Sequence, residues 1–177
     1  RICMTFEIHS DITNRSMTIA SRAMRRVLRR KRNIIWAIYG WSVFFINALL
    51  LIPFDGEVFT LDASTVILLL VEVMLLPALL FQDRINGMIA CKNTLAGTKN
   101  YHIMFGEESY TVVTEVTTST FRYELIDAMA ESQDYMILLM KKRYAQPLDK
   151  RTLTGGTVEE CKRFLEEKTG KTFRRVK

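Results

Sequence analysis

The sequence predicts an α+β membrane protein: a transmembrane helical hairpin, then a cytoplasmic domain built as a bent β-barrel capped by a C-terminal helix. Three observations predict it. Two long apolar stretches lie close together in the first half of a 177-residue chain. Seven Lys and Arg residues crowd the flank before the first stretch, whereas the connection between the two holds none. The last part of the chain alternates in short β-rich runs and ends in an amphipathic segment with a helix-start signature.

Residues 1–33 read as a strand and a basic juxtamembrane helix. Cys3 to His9 (CMTFEIH) alternates and is rich in β-formers, so it predicts a strand. That strand needs a sheet, and the partners must come from the C-terminal part. Asp11 or Thr13 is placed to cap the following helix. From Asn14 to Arg32 the residues Met17, Ile19, Ala20, Ala23, Met24, Val27 and Leu28 fall on one side. Arg22, Arg25, Arg26, Arg29, Arg30, Lys31 and Arg32 give the segment its charge, and the helix should feed straight into the first crossing. Residues 1–33 carry a net +7, residues 34–98 carry −3 and residues 99–177 carry +2. The excess therefore sits beside the membrane, where anionic lipid headgroups are worth roughly 1 kcal/mol per basic residue. That position argues against nucleic acid as the partner. The bland reading of the same cluster is a topology signal and nothing more.

Residues 34–81 form the predicted hairpin. Ile34 to Phe54 (IIWAIYGWSVFFINALLLIPF) has no formal charge. As a helix it runs roughly 30 Å, the depth of a hydrocarbon core. Ser42 and Asn47 are its strongly polar side chains, and they make no stripe. Trp36, Tyr39 and Trp41 suit the headgroup layer. Ser64 to Phe81 (STVILLLVEVMLLPALLF) carries one charge, Glu72, near its middle. The connection, Asp55 to Ala63, is acidic. Basic flanks mark the cytoplasmic side, so both termini should face the cytoplasm. The N-terminus does not read as a cleavable signal. A buried hairpin in a soluble protein is the alternative.

Residues 82–100 read as a helical stalk beside residues 14–32, then a linker, Ala96 to Asn100. Residues 101–177 change character. Strands are predicted at Tyr101–Phe105, Tyr110–Val116, Phe121–Leu125 and Asp134–Met140, with a fifth at Arg143–Gln146 ended by Pro147. Thr157 to Lys168 closes the chain as a helix, with Thr157 as N-cap and Glu160 at the capping-box position. Its Val158, Cys161, Phe164 and Leu165 should close one side of the sheet.

The stretches TFEI at 5–8, YHIMFGEESYTV at 101–112, FRYELIDAMAESQDYMILLM at 121–140 and PLDKRTL at 147–153, together with the hairpin, resemble the YcxB-like membrane proteins of bacteria. In that family the Pro is usually followed closely by Lys, whereas Leu148 and Asp149 intervene here. The resemblance implies a C-terminal pleckstrin-homology-like (PH-like) domain: a bent barrel capped by one helix. It implies architecture rather than an activity.

Few residues carry chemistry. Glu72 at a bilayer centre costs about 2.5–3.5 kcal/mol on insertion scales. It reads either as a proton or cation site or a polar clamp between subunits, or as a protonated acid hydrogen-bonded to Ser42, Asn47 or a backbone carbonyl. His9 and His102 are too far apart in sequence to argue a metal or a triad. Cys3, Cys91 and Cys161 lack CxxC spacing, which speaks against zinc and suits a reducing compartment. No cofactor is expected. Gly155-Gly156 lacks the rest of a phosphate-loop pattern and reads as a turn. The expected function is a non-enzymatic binding or scaffolding module at the inner face of the membrane, with anionic lipids and a protein partner or further copies of itself. The alternative is a subunit of an oligomeric transporter, or an ion- or proton-conducting complex, using Glu72.

Overall fold

A computed structural model describes residues 6–52, 62–140 and 144–176. Cys3, Arg143 and most of the acidic connection lie outside the described residues. The first strand, β1 (Phe6–Asp11), is followed by α1 (Asn14–Ala23), a π-helical turn (Met24–Leu28) and α2 (Arg30–Leu50). Helices α3 (Ala63–Leu80) and α4 (Gln82–Lys92) lead back to the β-rich part. That part holds β2 (Asn100–Phe105), β3 (Ser109–Thr114), β4 (Thr118–Arg122), β5 (Ile126–Glu131), β6 (Tyr135–Met140), β7 (Tyr144–Asp149), α5 (Val158–Thr169) and β8 (Phe173–Arg175).

The detached N-terminal strand finds its sheet. β1 pairs antiparallel with β2, from Phe6 opposite Phe105 to Asp11 opposite Asn100. One four-stranded sheet runs β1-β2-β3-β4 and a second runs β7-β6-β5-β8. Phe6, Ile8, Ile103, Phe105, Tyr110 and Val112 line the inner face of the first sheet. His9, His102 and Thr111 fall on the other face, as a period of two requires. A short 3₁₀ turn, Tyr123–Leu125, carries the chain from β4 into β5 of the second sheet. Strand β6 (YMILLM) is apolar throughout because it is buried on both faces. Met136, Leu138 and Met140 face the first sheet. Tyr135, Ile137 and Leu139 face α1.

The expected barrel is corrected: the described strands form two sheets, and no barrel is closed. β1 and β7 meet at a corner without a ladder. The Asp149 N–H donates to Ser10 Oγ at 2.8 Å, and Glu7 bridges Thr154 beyond the end of β7. Pro147 does not end the strand as expected. It lies inside β7 opposite Ile137, where an edge strand tolerates a residue without an N–H. The expected Phe121–Leu125 strand is β4 followed by the 3₁₀ turn. Strands β5 and β8 went unforeseen. β5 carries a bulge between Ile126 and Ala128 that breaks its alternation, and β8 has only three residues. Helix α5 is capped as expected, with the Thr157–Glu160 box at its start, and Gly170 ends it at φ 65°. Burial pushes the Cys161 thiol up to about 12, so this free cysteine is an inert core residue.

Helices α2 and α3 are long and apolar enough to span a membrane. In their apolar windows 6% and 0% of residues are buried, which is unlike the buried soluble hairpin. Two interruptions set this hairpin off. Arg29 (φ −110°, ψ 20°) separates the π turn from α2, and Phe81 (φ −108°, ψ 20°) separates α3 from α4. The basic helix therefore does not run straight into the first apolar helix.

A small ion cluster ties the second sheet to α5. Lys150 Nζ lies 2.5 Å from Glu131 Oε1 and Lys162 Nζ lies 2.9 Å from Oε2. Burial opposes the charged carboxyl, but the hydrogen bonds from both lysines prevail and hold Glu131 below its ordinary 4.5. A depressed carboxyl stabilises the fold above its unfolded pKa and loses that contribution as the pH falls through the folded one. Glu131→Gln should cost about 1–2 kcal/mol near neutral pH. The gap to the parent protein should shrink on acidification below about pH 4, read as melting temperature against pH.

Candidate functional site

The site is built where the helices meet the sheets. α1 starts at Thr13, whose Oγ1 accepts from the Ser16 N–H at 3.1 Å while Ser16 Oγ accepts from the Thr13 N–H at 2.9 Å. Ala20, Ala23 and Met24 then pack on the outer face of the second sheet. The opposite side of α1 lies against α4. At Gly87 a Cβ would stand 2.5 Å from Thr18 N and 2.6 Å from Thr18 Cα, so the two backbones touch there. The sequence marks Gly87 only as a weak helix residue; its real demand is this close approach.

Asp83, in the first turn of α4, is buried and takes charge from α1 and the π turn. Arg25 donates Nε–H to Oδ1 at 2.7 Å and Nη2–H to Oδ2, and Arg22 Nε lies 3.6 Å from Oδ2. The hydrogen bond to Asp83 raises the Arg25 pKa, against the effect of burial and with help from charge attraction. Arg25 and Arg22 thus share one internal partner. Arg30, Lys31 and Arg32 occupy the first turn of α2, are exposed, and have no acid beside them in that turn. Positive charge at a helix start is unfavourable by about 0.3–1 kcal/mol per residue, so the complement this turn wants is an anion.

A groove of about 670 Å³ opens at this junction. Arg25, Arg29 and Arg32 line it together with Met17, Met24 and Trp36, and Gln82 and Asn86 of α4 form its far wall. Arg26 is exposed beside it. The π turn lies beside the groove, and its Arg25 reaches Asp83 of α4. Arg25, Arg29 and Arg32 follow at spacings of four and three, the spacing that puts side chains on one helix face. The arrangement can hold a phosphate or carboxylate against guanidinium groups, with an apolar tail along Met17, Met24 and Trp36.

Glu72 sits elsewhere. Thr65, Leu68, Glu72, Leu75 and Leu79 are the partly buried residues of α3, and they form the stripe that faces α2. The helices approach closely at Gly40, where a Cβ would stand 2.6 Å from Leu79 Cδ2. Asn47 comes seven residues after Gly40, and Glu72 seven residues before Leu79. Both Glu72 oxygens are nevertheless buried without a hydrogen-bond partner among the described residues. Ser42 is exposed on the outside of α2. The structure therefore does not bring Glu72, Ser42 and Asn47 into a bonded cluster.

The histidines are neighbours, which sequence distance hid. His9 and His102 pair across β1 and β2 with rings stacked 4.0 Å apart. His102 Nε2 stands 3.3 Å from Glu7 Oε2, without hydrogen-bond geometry. Among the described residues no group of three or more His, Cys, Asp or Glu side chains could hold a metal ion. Gly155 turns at φ 87° and Gly156 backs onto the Phe6 ring, so this pair makes a turn.

These features define a class: an α+β protein with an apolar helical hairpin looped out between the first two strands of a two-sheet domain. Residues 105–165, from the end of β2 into α5, match the family described as YcxB-like protein and are similar to it. Comparison with the curated proteins gave no match, and comparison with the solved structures gave none.

Two outcomes follow from this geometry. Gly87→Ala should destabilise the protein by about 1–3 kcal/mol, because the added methyl meets backbone, and thermal unfolding in detergent reads it. Glu72→Leu should raise stability by about 1–3 kcal/mol, by removing an unpaired buried carboxyl. A loss of stability in that variant would mean that Glu72 has a bonded partner.

Proposed function

We propose that the chain is a membrane-anchored, non-enzymatic binding module whose basic groove takes the headgroup of an anionic lipid. In this reading α2 and α3 cross the bilayer, both termini face the cytoplasm, and the two-sheet domain, PH-like in its bent sheets and capping helix, is held at the inner face to meet a protein partner. The observation that carries it is the groove itself, with three arginines and Trp36 at the foot of an apolar hairpin. The start of α2, basic and without an acid, supports it. A topology signal alone needs positive charge but no groove.

The full chain is reconstituted in nanodiscs of mixed phosphatidylglycerol and phosphatidylcholine, and the retained lipids are counted by native mass spectrometry. The parent protein should keep phosphatidylglycerol over phosphatidylcholine. The Arg29→Gln/Arg32→Gln double variant should lose that preference by roughly ten-fold or more. Equal retention of both lipids by the parent protein would sink the reading.

A second reading draws on the two unpaired Glu72 oxygens in the α2–α3 seam. In it, copies of the hairpin assemble into a transporter or a proton- or ion-conducting complex. It requires a pH-dependent flux in proteoliposomes that Glu72→Gln abolishes. Flux that is absent, or unchanged by the substitution, removes it.

A further inference from the structure

The two-sheet domain has two ends, and they are finished differently. At one end α5 drops Cys161 and Leu165 into the core, and Phe164 packs on the Phe6 and Tyr123 rings. At the other end a cavity of about 390 Å³ enters between the first sheet and β7. That volume lies within the range of small-molecule pockets. Tyr101 and Val112 belong to its lining at the core, and Ile12, Phe121 and Tyr144 add apolar walls.

Gln146 of β7 lines the same cavity and is only 3% exposed. Its side-chain oxygen has no hydrogen-bond partner among the described residues. Nothing local rescues it. Tyr101 spends its hydroxyl on the Pro147 carbonyl, and Thr114 on the rim bonds back into its own turn through Thr117. A buried acceptor left unpaired is costly, so the oxygen wants a donor brought in from outside. Among the described residues of the lining there is no Lys, Arg, Asp or Glu.

We infer that this open end is a binding site for a small, flat, largely apolar molecule that presents an N–H or O–H donor to Gln146. The inference does not use the arginines of the lipid groove, although Met17 and Ala145 border both spaces.

The test uses the full chain in detergent micelles and saturation-transfer NMR. The probes are benzamide, which has N–H donors, and N,N-dimethylbenzamide, which keeps the ring and carbonyl and lacks them. Benzamide should bind. Dimethylation, or Gln146→Leu, should weaken binding about five-fold, the worth of one net hydrogen bond. Ser119→Phe, a lining residue on β4, should block the cavity while leaving Gln146 in place, and covers the case in which Gln146→Leu does not fold. No binding of benzamide, equal binding of both probes, or binding unmoved by Ser119→Phe overturns the inference.

Discussion

The close contact between α1 and α4 is the constraint on which the helical half depends. α1 touches both parts of the molecule, lying on the second sheet through Ala20 and Ala23 and on α4 through Thr18. Because Gly87 has no side chain, the two helices meet backbone to backbone, and Asp83 can then be buried under Arg25. The groove exists because of that distance. A side chain at position 87 would push α4 away, open the ion pair to water and separate the groove's walls. The base of the apolar hairpin is fixed by the same contact.

The folded core was legible where period and burial agree. The inner face of β1 to β3 alternates cleanly, and the Thr157–Glu160 box announces α5. β6 was legible because burial on both faces leaves no polar residue to interrupt it. β5 was hidden for the opposite reason. Its bulge shifts the phase within six residues, and Ala, Asp and Glu carry little strand signal. Pro147 misled because a proline usually ends a ladder, and only the tertiary arrangement shows that β7 is an edge.

The basic flank was legible as charge but not as a place. Composition cannot say that Arg25 and Arg22 turn inward to one aspartate, because Asp83 is 58 residues away from Arg25 in the chain. Nor does it announce the π turn, whose five residues carry no distinctive type. Such turns are frequent at functional sites, and this one lies beside the groove that its Met24 and Arg25 help to line. Gln146 gave no signal at all. A glutamine in a strand normally faces water, and only the open end of the sheets shows that it faces inward instead.

The order of pairing has a consequence in time. β1 is made first, and its partner β2 comes only after residues 12–99. At about 5–20 residues per second the ribosome needs roughly 4–18 s to make that stretch. Through that interval Phe6 and Ile8 have no sheet to enter, and the apolar helices appear before the domain that anchors them can close. The hairpin therefore has to find its own environment first, and the two-sheet domain is assembled afterwards around an N-terminal strand that has waited for it.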